Sequence, residues 1–133
     1  MTGLIAIGIG CRKVCAREDI VALVQSALAG CSEPPARPRL FTIIDKQGDG
    51  ELSAAALSLE LELVFLSREA LEAAAPRILT RSAAAQRRFG LPSVAEAAAL
   101  AGAGAGSRLL GPRLIGKGAT CAVAFRNAER PSP

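Results

Sequence analysis

Three short polar stretches hold most of the side chains able to do chemistry: Gly10-Cys11-Arg12-Lys13, Asp45-Lys46-Gln47 with Asp49, and Ser67-Arg68. Each follows an apolar run. Guanidinium and ammonium groups beside free backbone N–H donors suit a ligand with several carboxylates, the guanidinium pairing bidentately and the ammonium acting as a compact charge. The same set offers catalytic roles, with Asp45 as general base and Lys46 and Arg12 polarising a carbonyl. A plainer alternative stays open, in which Arg12, Lys13 and Arg68 only solvate loop edges. Cys11 has two readings as well. Beside Arg12 and Lys13 at the mouth of a helix its thiolate would be stabilised, whereas beneath the loop it would be a buried thiol filling space.

Other chemistries are excluded by what is missing. The chain of 133 residues contains no His, so Ser-His-Asp and Cys-His catalysts and His-containing zinc sites fall away. Four cysteines, Cys11, Cys15, Cys31 and Cys121, form no CxxC pair and read as free thiols, with no metal site and no cofactor expected. Gly8-x-Gly10 after a strand imitates a dinucleotide fingerprint, but Lys13 occupies the third glycine position and would crowd the helix. Asp45-x-Gln47-x-Asp49-Gly50 imitates a calcium loop, yet Ala56 stands where the bidentate carboxylate is required. The only aromatics, Phe41, Phe65, Phe89 and Phe125, sit in apolar stretches, leaving no rings for base stacking; no nucleic acid is expected. A net charge of +4 fits an acidic partner or ordinary solubility.

The elements that would position these residues follow from periodicity. Leu4 to Ile9 reads as a buried strand. Ile20, Leu23, Val24, Ala27 and Leu28 make one helical face after Glu18-Asp19, closed by Gly30. Pro34, Pro35 and Pro38 force a connection before a second strand, Leu40 to Ile44. A helix over Glu51–Glu60, a strand over Leu61–Leu66 and a Ser67-capped helix over Arg68–Ala75 come next, with Pro76 as stop. Ser82–Phe89 is expected to form a short helix. Ser93 and Glu96 form a Ser-x-x-Glu box opening a helix over Val94–Ala101. Gly102 to Gly106 reads as a flexible connection. Arg108–Ile115, interrupted by Pro112, and Ala119–Phe125 read as a hairpin around Gly116-Lys117-Gly118.

Strands alternating with helices predict an α/β fold, a three-layer α/β/α sandwich with a parallel or mixed sheet of about five strands. Residues 1–126 are expected to form a single domain, with 127–133 a flexible tail. The N-terminus lacks a basic leader and no apolar run approaches the roughly 18 residues that span a bilayer. A cytoplasmic protein without membrane partners is expected. In such sheets ligands bind beyond the carboxyl ends of the strands, which is where the three polar stretches should converge.

Taken together, several motifs look familiar: Gly8-Ile9-Gly10-Cys11-Arg12-Lys13, Thr42 to Lys46 with Asp49, Val64-Phe65-Leu66-Ser67, Gly90-Leu91-Pro92-Ser93-Val94-Ala95-Glu96-Ala97-Ala98 and Cys121-Ala122-Val123-Ala124. In this order the set resembles the CobE/CbiG C-terminal domain family of cobalamin biosynthesis. The resemblance implies a protein that binds or acts on a precorrin or corrinoid intermediate, as a carrier or accessory factor or as an enzyme of lactone-ring opening with acetaldehyde release. It also implies other pathway enzymes as partners. The ligand-binding residues expected on this reading are Gly10, Cys11, Arg12, Lys13, Asp45, Lys46, Ser67 and Arg68, with Asp45 and Lys46 the candidates for catalysis.

Overall fold

The alternation along strand β1 (Gly3–Cys11) decides the layering. Ile5, Ile7, Ile9 and Cys11 enter one apolar layer, while Ala6 faces the other. In the computed structural model, which describes residues 3–11, 15–30, 38–79, 86 and 93–127, β1 is a central strand of a six-stranded mixed sheet. Strand β2 (Arg39–Ile43) pairs parallel with β1, and β3 (Leu63–Leu66) pairs parallel with β2. On its other side β1 runs antiparallel to β6 (Ala119–Asn127), whose outer edge holds the two-residue strands β4 (Arg108–Leu109) and β5 (Leu114–Ile115).

Helices cover both faces. Helix α1 (Arg17–Ala29) buries the expected Ile20, Leu23, Val24 and Ala27 and stops at Gly30. It has no side-chain cap of its own; Glu51 of helix α2 (Gly50–Leu59) supplies one, accepting from the Arg17 N–H at 2.8 Å. Asp49 caps α2 by accepting from the Glu51 and Leu52 N–H groups. On the opposite face lie α3 (Arg68–Ala74), capped by Ser67, and α4 (Val94–Ala103), capped by Ser93.

Several boundaries differ from expectation for identifiable reasons. The sheet has six strands rather than about five because Arg108–Ile115 splits into β4 and β5, both bonded to β6. Ile44 leaves β2 for a 3-10 turn, Ile44–Lys46. Leu61 is spent on ending α2: Glu60 turns left-handed (φ 59°) and the Leu61 N–H bonds to the Ala56 carbonyl, so β3 starts two residues later. Gly102 belongs to α4 instead of a loose connection, because its bare Cα sits against the Phe41 ring. Phe65 and Phe125 are half-buried rather than core. The expected helix Ser82–Phe89 lies outside the described residues apart from Gln86, as do the prolines of residues 31–37 and residues 128–133.

The tightest contact lies between β1 and α4. A Cβ on Gly8 would stand 1.9 Å from the Ala95 carbonyl oxygen and 2.6 Å from the Ala99 nitrogen, so only glycine lets the helix backbone lie on the strand. Glu96, fully buried in α4, accepts from the Leu79 N–H and the Arg113 N–H, both at 2.9 Å, tying the chain after α3 and the link between β4 and β5 to the helix.

Two stability predictions follow from these contacts. Gly8→Ala should cost ~3 kcal/mol in urea unfolding, since the obstructing atoms are backbone, and more than Gly102→Ala, where a ring can shift. Stability equal to wild type in Gly8→Ala would refute the close approach. Glu96→Gln turns an NH2 toward one of two N–H donors and should cost about 1–3 kcal/mol by the same measurement.

Candidate functional site

Because β1, β2 and β3 are adjacent and parallel, their carboxyl ends form one rim, which carries Gly10 and Cys11 of the first polar stretch, the Asp45–Asp49 loop and Ser67-Arg68. The β1–β2 junction is fixed from within by Thr42, fully buried, whose hydroxyl donates to the Ile9 carbonyl at 2.8 Å. At Gly10 the start of α4 and the start of β6 close in: a Cβ there would lie 3.4 Å from the Ala95 nitrogen and 2.8 Å from Thr120 Oγ1. The N-terminus of α4 therefore joins the rim and brings the positive end of the helix dipole to it.

The candidates separate into two groups. Lys46 is only 7% exposed. Its charge is felt by both Cys11 and Cys15, as is that of Asp49, which puts these four residues in one neighbourhood. Burial pushes the Cys11 thiol up from 9.0 to about 11, with nearby Cys15 and Asp49 adding to the rise and Lys46 opposing it. Cys15 is raised too, mainly by burial, and its thiol donates to the Lys117 carbonyl at 2.9 Å. Of the two readings of Cys11, the buried, protonated thiol is therefore the one the structure supports. The cysteines described, Cys11, Cys15 and Cys121, form no disulfide with one another and share one core layer.

Asp45 and Arg68 make the second group, with Arg68 Nη2 donating to Asp45 Oδ2. Ser67 spends its hydroxyl on the Ala70 N–H and so anchors α3 at the rim. Arg12 and Lys13 lie outside the described residues, and Cys31 likewise. Sequence reasoning missed three contributors: Cys15, Thr120 and the N-terminus of α4. For the last, the Ser-x-x-Glu box was a signal of a helix start but not of where that start lies. Thr42, a lone hydroxyl in an apolar strand, was a further readable sign.

The arrangement is that of an open α/β sandwich, one end of which gathers strand termini, a helix N-terminus and basic side chains. The chain belongs to the CobE/CbiG family of cobalamin biosynthesis proteins: the family described as cobalamin synthesis G C-terminus matches residues 5–124. It is similar to Protein CobE of a Sinorhizobium species, 31% identical over 121 residues that cover 90% of this chain and 79% of that protein. Among solved structures it resembles the crystal structure of CobE, a protein from the cobalamin (vitamin B12) biosynthetic pathway, with a TM-score of 0.86, 36% identity and coverage of 98% of this chain and 95% of that one. It also resembles the cobalamin biosynthesis protein chiG from Agrobacterium tumefaciens, with a TM-score of 0.67, 35% identity and coverage of 91% and 97%. Among the described residues, no helix is long and apolar enough to cross a membrane.

The raised Cys11 thiol gives a pH prediction. Between about pH 9 and 11 the unfolded chain gives up this proton and the folded chain keeps it, so stability falls as pH rises through that window, by ~1.4 kcal/mol per unit. Urea titrations at pH 8.5 and 10.5 should show a steeper loss for wild type than for Cys11→Ala, and parallel losses would contradict the burial of this thiol.

Proposed function

We propose that this protein is a carrier or accessory factor that holds a precorrin or corrinoid polycarboxylate at the rim formed by the ends of β1, β2 and β3. Corrin precursors are fringed with acetate and propionate groups, which seek guanidinium, ammonium and amide N–H donors. Lys46, Arg68, the α4 N-terminus and, on the sequence reading, Arg12 and Lys13 offer that chemistry at one end of the sheet, with Gly10 letting the start of α4 and Thr120 come close between them.

One observation favours holding over turnover. The rim carboxylates are already engaged, Asp45 by Arg68 and Asp49 by the N-terminus of α2, and the Cys11 thiol is kept protonated by burial. A base for lactone opening would have to be freed first. An anion can instead take Arg68 from Asp45 by exchanging one carboxylate for another, with no proton to move.

Absorbance titration with hydrogenobyrinic acid tests the reading. Saturable binding at micromolar protein is expected, weakened by salt, by about 1–3 kcal/mol in each of Arg12→Ala and Lys46→Met, the latter keeping volume at a buried position, and by less in Arg68→Ala, where Asp45 already competes for the guanidinium. Asp45→Asn discriminates the alternatives: it should preserve or tighten binding, because it releases Arg68, whereas an enzyme using Asp45 as base would lose turnover. No saturable spectral change in the wild type would defeat the carrier reading.

A further inference from the structure

We infer that the β5–β6 hairpin is the apolar wall of the ligand site, with Ile115 packing against the ring face of the macrocycle whose acid fringe the rim cations hold. The inference rests on the carrier reading and assigns it a second kind of contact.

The argument begins with register. Gly10 and Ile115 both pair with Thr120, and Ile43 pairs with Leu66; extending the β1–β2 register by two residues places Ile43 beside Gly10. One row at the rim therefore runs from β3 to β5. Thr120 Oγ1 lies over Gly10 on the α4 side of the sheet, and Ile115, directly opposite Thr120, points to that same side. It is 73% exposed.

Exposure of a single aliphatic residue is ordinary, but this case is not single. Six large hydrophobic residues are exposed among those described, and Ile44 and Ile115 stand at this end of the sheet, whereas Leu114, opposite Cys121, points to the α1 side. Ile44 follows β2 and Ile115 ends β5, three strand spacings apart, roughly 14 Å at about 4.8 Å per strand. That separation suits a broad, flat ring.

The hairpin is also held firmly. The Gly116 N–H bonds to the Ala119 carbonyl at 2.8 Å, the Cys15 thiol grips the Lys117 carbonyl, and the Leu23 side chain lies 3.3 Å from where a Gly116 Cβ would be. A rigid strand that shows Ile115 to solvent, with exposed Lys117 two residues on and Arg68 across the rim, complements a ligand that is apolar on its face and anionic at its edge.

Hydrogenobyrinic acid is again the probe, titrated into wild type, Ile115→Ser, Ile115→Val and Leu57→Ser at low and high salt. Ile115→Ser should weaken binding about tenfold, a typical value for a partly buried aliphatic side chain, by the same factor at both salt concentrations. Ile115→Val should retain most of the affinity. Leu57→Ser, at an equally exposed position on the outer face of α2, should bind as wild type. Saturable wild-type binding with unchanged affinity in Ile115→Ser, a loss that appears only at low salt, or an equal loss in Leu57→Ser overturns the wall and leaves the carrier reading standing. Absence of wild-type binding removes the carrier reading and the wall with it.

Discussion

The contact on which the rest of the structure depends is the seating of α4 on β1 through Gly8. Removing one Cβ lets helix backbone meet strand backbone, and the composition of α4 makes use of the closeness: Ala95, Ala97, Ala98 and Ala99 are all fully buried. Such a helix has no polar face to give to solvent. It is enclosed by the sheet on one side and by α3 and the chain after it elsewhere, which explains why the single carboxylate inside it, Glu96, is spent on backbone donors of two neighbouring segments.

That seating also fixes the functional end. With Gly8 locked to Ala95, the first turn of α4 can only come to rest over Gly10, at the level where the parallel strands stop and β6 begins. Thr42 holds β2 to β1 from inside, and Ser67 and Asp49 tie the starts of α3 and α2 to the ends of their loops. The polar groups of the rim thus serve the fold first. Five of the residues read as ligands from the sequence, Cys11, Asp45, Lys46, Ser67 and Arg68, have a structural partner or a buried position.

Much of the architecture was legible because it rests on local rules. The buried β1 strand, the α1 face with its Gly30 stop, the Ser67 and Ser93 caps and the Gly116–Gly118 hairpin all appear as apolar patterning and capping chemistry predict. What could not be read depends on contacts distant in sequence. Gly102 looked like a linker because nothing local reveals Phe41 opposite it, and Leu61 looked like strand because the αL turn at Glu60 is unusual for a non-glycine residue. Convergence of the three loops was foreseeable from parallel topology. The burial of Lys46 and the pairing of Arg68 with Asp45 were not, since side-chain direction in a loop has no periodicity to announce it.

These internal engagements bear on the proposed carrier role. A ligand carboxylate that takes Arg68 from Asp45 exchanges one charge-assisted hydrogen bond for another, so the net gain at that position is only the difference between the two. Affinity must then come from the summed fringe of contacts and from an apolar surface that has no internal competitor. A site built this way binds by several small increments and releases when any few are withdrawn. That is the energetic profile suited to a protein that passes an intermediate onward rather than retaining it.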